Sequence, residues 1–288
     1  MFTHIVVPLD GTAESTVAVT QACALASLTG ASISLLRVYA GGSPTPESVE
    51  YLQKAALECG NASGTVDLAV LAGDPAEVIL QQVDERGADL VVMRTRGRAG
   101  LSRAVLGSVT ETVVQRSPRP VLLLPPQASP ATQVRTVLVP VDGSPGGALA
   151  LGAARELARL TGARLRLLQV VVPAATQFVQ ASVTGAPVYI DPSWDEDAVS
   201  GARAYVNSLT QRLSAEGLHS DGEVLIANSV PDAIVGNAPE QHADLIVMSS
   251  EAHTGAARLI LGSVTDAVVR TATCPVLVLR RGAAEAGQ

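Results

Sequence analysis

The chain has 288 residues, of which 47% are hydrophobic, 16% charged and only 2% aromatic. Such a composition supports apolar cores built from Val, Leu, Ile and Ala and excludes wholesale disorder. The net charge of −7 excludes the basic face that a general nucleic-acid binder needs.

In chain order, His4 to Asp10 reads as a buried strand that Asp10-Gly11-Thr12 breaks. A helix is expected from about Glu14 to Leu28, closed by Thr29-Gly30, and Ser32 to Val38 is a second apolar strand. A loop at 41–46 leads to a helix over Glu47 to Cys59, then a short strand at Val66 to Leu71. Gly73-Asp74-Pro75 starts a helix ending near Gly87. From Ala88 to Thr110 a buried strand stops abruptly, small residues and arginines follow, and Leu106-Gly107-Ser108-Val109-Thr110 opens a helix to about Arg116. Pro120 to Leu124 is the last strand before a short polar linker, 127–132. Strands this uniformly apolar, alternating with helices, specify a parallel sheet covered on both faces.

The pattern then repeats. Pro8-x-Asp10-Gly11-Thr12 returns as Pro140-x-Asp142-Gly143-Ser144, 132 positions later. Asp89 and Gly107 return as Asp244 and Gly262, 155 positions later. The second copy therefore holds about 23 extra residues between its second strand and second helix, roughly 171–195, with Phe178, Tyr189 and Trp194 among them. Two domains follow, 1–126 and 134–281, and the extra segment reads foremost as a longer surface loop.

A small-residue loop running into a helix N-terminus suits phosphate, because glycine lets a ligand approach the backbone and the first-turn N–H groups point outward. Gly107 and Ser108, with Ser108 placed to cap the helix, fit that reading, as they also fit an ordinary strand–loop–helix junction. Cys23, Cys59 and Cys274 are odd in number and follow no metal or Cys-x-x-Cys spacing, so they read as reduced packing thiols. The four histidines are scattered, and no Gly-x-Ser-x-Gly elbow or Gly-x-Gly-x-x-Gly fingerprint is present. No signal peptide or membrane span is read, and a cytoplasmic location is expected.

Taken together and in order, the Pro-x-Asp turn, the Ala-Asp-Leu-x-Val-Met strand and the Leu-Gly-Ser-Val helix opening, each found twice, resemble a tandem universal stress protein, two Usp (UspA-like) domains in one chain. The resemblance implies an α/β fold of two Rossmann-like (adenine nucleotide alpha hydrolase-like) domains. Each would be a five-stranded parallel sheet with helices on both faces, packed as a pseudo-dimer through the last strands, Val121–Leu124 and Val276–Leu279. It implies ATP, alone or with magnesium, as ligand in one branch of the family, bound through Gly-x2-Gly-x9-Gly-Ser/Thr, whereas another branch lacks that loop.

Carried over residue by residue, the glycine positions fall on Arg94, Gly97 and Gly107 before Ser108, and in the second copy on Ser249, Ala252 and Gly262 before Ser263. Pro8, Asp10 and Val38 would frame the adenosine end, with Gly97, Gly107, Ser108 and Val109 on the phosphates. Asp142, Val170, Gly262, Ser263 and Val264 are the weaker set. Arg96, Arg98 and Arg103 favour the first site, and Glu251 disfavours the second, which keeps only Arg258. Arg94 is left with three readings: crossing the pocket, neutralising phosphate, or pointing to solvent. The expected role is a regulatory ATP-binding module in the stress response, with at most weak incidental ATPase activity, no nucleic-acid or membrane partner, and a further homodimer left open. The alternative is a nucleotide-independent interaction protein.

Overall fold

The apolar runs become parallel strands because each is buried on both faces, leaving helices to cover them. In the first repeat these are β1 (His4–Leu9), β2 (Ser32–Tyr39), β3 (Val66–Ala72), β4 (Leu90–Arg94) and β5 (Val121–Leu124), with α1 (Val17–Thr29), α2 (Pro46–Leu57), α3 (Pro75–Glu85) and α4 (Ser108–Arg116). The second repeat has β6 (Thr136–Pro140), β7 (Arg164–Val171), β8 (Ser220–Ile226), β9 (Leu245–Ser250) and β10 (Val276–Arg280), with α5 (Pro145–Thr161), α6 (Ser193–Ala215), α7 (Val230–Glu240) and α8 (Ser263–Thr271). The computed structural model describes residues 2–39, 41, 45–60, 64–95, 106–174, 176, 193–250 and 261–280. Most of the 171–195 segment lies outside these residues, including Phe178 and Tyr189.

Local sequence sets the helix ends. Asp74 and Ser144 accept hydrogen bonds from first-turn amides, each directly before a proline at the first helical position. Gly30 and Gly162 end α1 and α5 in the left-handed conformation, at φ 75° and 71°. The first helix of the sequence is split in two, because Glu14–Thr16 forms a 3-10 turn that precedes α1.

Within each repeat the strand order is Rossmann-like, and the two repeats share one sheet: β3-β2-β1-β4-β5-β10-β9-β6-β7-β8. The join is the antiparallel pairing of β5 with β10, where Val121, Leu122 and Leu123 lie opposite Val278, Leu277 and Val276. This is the pseudo-dimer through the last strands that the family resemblance implied. Alternate strand residues feed two cores, one on each side of the sheet, and both cores run through both repeats. Ile5, Val7, Leu35, Leu122 and Leu277 lie on the side of α1, α2, α5 and α6. Val6, Leu36, Leu123, Ile246 and Val276 lie on the side of α3, α4, α7 and α8. The linker is tied in as well: Ala131 exchanges hydrogen bonds with the Gln21 side chain, and Gln127 donates to the carbonyl of Ala272.

The cysteines correct the sequence reading. Cys23 on α1 and Cys59 just beyond α2 form a disulfide, with Cα atoms 5.2 Å apart and a sequence separation of 36. Only the packing of α2 against α1 brings them within bridging distance, and no local spacing encodes that. Cys274 is the buried free thiol among the described residues, and burial pushes its pKa up to about 12, so it is inert at neutral pH.

Two stability predictions follow from this packing. Closing a ring of this length is worth about 3–4 kcal/mol by the chain-entropy relation, so reduction, or the paired Cys23→Ala/Cys59→Ala change, lowers stability by that order in urea unfolding. Gly222 on β8 lies under α6, where an added Cβ falls 2.2 Å from Cγ1 of the buried Val206. Gly222→Ala therefore costs about 1–3 kcal/mol, measured the same way.

Candidate functional site

In each repeat the strand order reverses between the first and fourth strands, and a cleft opens there beyond their carboxyl ends, where open α/β sheets bind ligands. The first-repeat cleft, about 240 Å³, is bounded by Pro8, Asp10, Arg37, Val38 and Met93 from the strands, by Pro75 and Ile79 of α3, and by Gly107 to Thr110 at the start of α4. Six of the seven first-repeat residues singled out from the sequence thus line one cavity. The seventh, Gly97, lies outside the described residues, as do Arg96, Arg98 and Arg103.

The Asp10 turn is braced from several directions. One Asp10 oxygen accepts from the backbone amide of Thr12 at 3.0 Å and from its hydroxyl at 2.6 Å. The carbonyl of Thr12 accepts from the Ser15 hydroxyl at 2.9 Å and from the Tyr51 hydroxyl of α2 at 2.9 Å. The Tyr51 and Ser15 oxygens also lie 2.7 Å apart, so their two protons serve these three contacts in alternation. Burial, foremost, raises the Tyr51 pKa, so its phenol remains protonated as a donor. Beneath the turn runs Arg37, whose guanidinium donates to the carbonyl of Leu9 and lies 5.0 Å from the ring of Tyr39. An added Cβ at Gly11, which has φ 88°, would lie 2.8 Å from that guanidinium.

Opposite Asp10, α4 begins with no side chain capping its first turn. The cap residue is Gly107, and Ser108, expected to cap, is instead the first helical residue. Gly107 has an ordinary φ of −63°, and a Cβ added there would meet nothing within 4 Å. No described neighbour of the protein requires a glycine at this point. Arg94 lines the cleft with its guanidinium donating to the carbonyl of Pro126 at 2.6 Å.

The second-repeat cleft, about 260 Å³, includes Asp142, Val170 and Val264 among its lining residues. Gly262 and Ser263 stand beside it at the start of α8 without lining it, and Ala252, Glu251 and Arg258 lie outside the described residues. Two differences separate it from the first. Ser249 and Gln169 occupy the positions of Arg94 and Arg37, so neither arginine of the first cleft has a counterpart. The amide of Gly262 donates to the Ser250 hydroxyl at 3.1 Å, whereas the equivalent Thr95 hydroxyl is directed at the carbonyl of Leu124. Part of the second helix N-terminus is thus satisfied by the protein itself.

Sequence reasoning missed Arg37, Ser15, Tyr51 and the α3 residues Pro75 and Ile79. Arg37 directly precedes Val38 and a charge inside an apolar strand was its signal; the others come together only through the tertiary fold. Among the described residues there is no cluster of three or more His, Cys, Asp or Glu able to hold a metal, and no helix is long and apolar enough to cross a membrane.

The class so defined is a tandem of two Rossmann-like α/β units joined edge to edge, each with a cleft at its strand-order reversal. The family model described as the universal stress protein family matches residues 1–125 and 133–280, so this chain belongs to that family and carries two such domains. A universal stress protein of Mycolicibacterium smegmatis is 28% identical over 300 residues, covering 96% of both chains. Universal stress protein YxiE of Bacillus subtilis is 33% identical over 149 residues, 50% of this chain and 97% of its own. The crystal structure of a universal stress protein from Archaeoglobus fulgidus shares the fold with a TM-score of 0.74 at 21% identity, covering 97% of this chain and 98% of that one.

The bracing of the Asp10 turn is directly testable. Tyr51→Phe removes the hydroxyl that serves both Thr12 and Ser15 and is expected to cost about 1 kcal/mol in urea unfolding, with the fold retained by circular dichroism.

Proposed function

We propose that the first repeat binds ATP, with or without magnesium, and that the chain acts as a regulatory module of the cytoplasmic stress response. The observation that carries this reading is the start of α4. A helix N-terminus with no side-chain cap faces the cleft, and no described residue comes within 4 Å of where a Cβ on its Gly107 would sit. A phosphate chain suits that end of the cleft, where the amides of Gly107, Ser108 and Val109 supply donors and the helix dipole favours negative charge. Asp10 and Val38, at the other end, would hold the adenosine. Gly97 and the arginines of the 96–103 stretch would complete the phosphate side. A bound nucleotide would act by differing in affinity for two states of the protein.

The second cleft favours the other reading. Its helix amide is already taken by Ser250, and it lacks both cleft arginines. A nucleotide-independent interaction protein, meeting partners through the 171–195 segment or the pseudo-dimer face, is therefore the alternative, and a further homodimer is compatible with both.

The test is to denature freshly purified protein and identify the nucleotide released. About one ATP per chain is expected; none, together with a flat calorimetric titration with ATP and magnesium, overturns the proposal. Gly107→Ala should keep the fold at a cost below about 1 kcal/mol. Gly107→Trp fills the space above the α4 amides and should weaken ATP by at least about tenfold, or about 1.4 kcal/mol.

A further inference from the structure

A second concavity lies at the other end of the second-repeat strands, away from that repeat's cleft. It encloses about 540 Å³ and is lined by Arg135, Thr136, Gly162, Arg164, Arg166, His219, Glu240, Gln241 and His242. Three arginines and two histidines therefore line one groove whose lining includes a single carboxylate residue, Glu240, with Asp221 paired to Arg164 and Arg166 beside it.

The first repeat provides an internal control for what this end of the fold requires. Backbone pairing makes the equivalences unambiguous. Thr3 and Arg135 both donate their amides to the aspartate that precedes the fourth strand, Asp89 or Asp244. Ile33 bonds to the carbonyl of Thr65 as Leu165 does to that of His219. Ser32 and Arg164, and Ser34 and Arg166, hold matching register positions. Gly87 and His242 both follow the third helix of their repeat in the left-handed conformation, at φ 61° and 51°. The first repeat thus has Thr3, Ser32, Thr65 and Gly87 where the second has Arg135, Arg164, His219 and His242.

One arginine is enough for the structural task here. In the first repeat Arg86, just past the C-terminus of α3, reaches Asp67 on the edge strand and donates to the Ser34 hydroxyl at 3.0 Å. In the second repeat Arg166 performs this task from the strand, pairing with Asp221 at 2.5 Å and donating to Gln241 past α7. A cation at a helix C-terminus is favourable, and Arg166 supplies it. Arg135, Arg164, His219 and His242 are surplus. Among the described residues the Arg135 guanidinium donates to the Gln133 amide oxygen, and Arg164 reaches Asp221 at a loose 3.7 Å. Neither imidazole makes a side-chain hydrogen bond or ion pair among the described residues. His242 additionally adopts a backbone conformation that costs a non-glycine residue energy and that glycine serves in the other repeat.

We propose that this groove is a second anion site, for an oligophosphate chain, either free or carried by a small molecule. Arg135 and Arg164 supply forked donors suited to phosphate oxygens, and His219 and His242 supply further ring N–H donors, while Arg166 remains committed to the fold. The site is separate from the first-repeat cleft and does not depend on the ATP reading.

The test uses the full chain and isothermal titration with sodium tripolyphosphate. Substituting the first-repeat residues, Arg135→Thr, Arg164→Ser, His219→Thr and His242→Gly together, introduces only side chains that this end of the fold already accommodates. Unchanged far-UV circular dichroism verifies folding of that variant. With the first cleft blocked by Gly107→Trp, tripolyphosphate should still bind, and at least tenfold more weakly once the fourfold change is added, with the difference shrinking as salt is raised. Gly107→Trp, at the other cleft, should leave the affinity of the groove unchanged. Within the Gly107→Trp background, ATP heat abolished by the fourfold change would assign the phosphate to a nucleotide, and tripolyphosphate binding alone would assign a free chain. Equal affinity in the folded fourfold variant, no binding by the parent at millimolar concentration, or equally tight binding of citrate overturns the proposal. If the fourfold variant fails to fold, Arg164→Ser alone, removing one forked donor, should still weaken tripolyphosphate several-fold, and unchanged affinity in that variant overturns the proposal as well.

Discussion

The antiparallel pairing of β5 with β10 is the contact on which the rest of the molecule depends. Neither repeat alone could leave these strands unpaired, because all four residues of β5 are buried and an open edge would expose a row of backbone donors and acceptors beside apolar side chains. Pairing them converts two open-edged sheets into one. It also fuses the cores, so that Leu122 and Leu277 pack on one side of the sheet while Leu123 and Val276 pack on the other. The linker completes the join through Gln21, Ala131 and Gln127. Both clefts inherit their walls from this arrangement, since β4 and β9 are each held between a repeat's first strand and the shared seam.

Within that frame the two repeats have exchanged chemistry at fixed backbone positions. The ion pair that anchors the third helix to the edge strand survives in both, yet its arginine has moved from the helix end, Arg86, to the neighbouring strand, Arg166. At the other end of the strands, Arg94 and Arg37 have given way to Ser249 and Gln169, and a hydroxyl has turned inward to occupy a helix amide. Positive charge thus faces the carboxyl ends of the strands in the first repeat and their amino ends in the second. A fold that tolerates this redistribution without altering strand register separates structural demand from ligand demand unusually well.

How much of this was legible in the sequence depended on the range of the interaction. Strands, helices and the tandem repeat follow from apolar runs, caps and glycines acting over a few residues, whereas the seam through the last strands was implied by the family resemblance. Gly107 and Ser108 are legible as a loop running into a helix N-terminus, whereas Asp10, Val38 and Val109 were implied by the family resemblance; all five line the cleft because it forms where the elements stop. Tyr51 was not legible, since its hydroxyl reaches Thr12 across 39 positions only after α2 has packed. The Cys23–Cys59 bridge was missed for the same reason: its 36-residue separation carries no local signal. Arg94 could not be placed because its partner is a backbone carbonyl, that of Pro126, and carbonyls are identical at every position. The basic groove went unnoticed because Arg135, Arg164, His219 and His242 are scattered in sequence and converge only where strand ends and a helix end meet.

The disulfide also changes the connectivity of the first repeat. The segment from Cys23 to Cys59 is a covalent ring containing β2 and α2, and therefore Arg37, Val38 and Tyr51. A single backbone scission anywhere within that ring leaves the polypeptide in one piece, with both sides of the first cleft still attached. The second repeat has no equivalent ring, because Cys274 is its one cysteine. A break between β7 and α6 would yield two separate chains held together by packing alone. The two halves of this near-symmetric molecule therefore differ in topology as well as in charge.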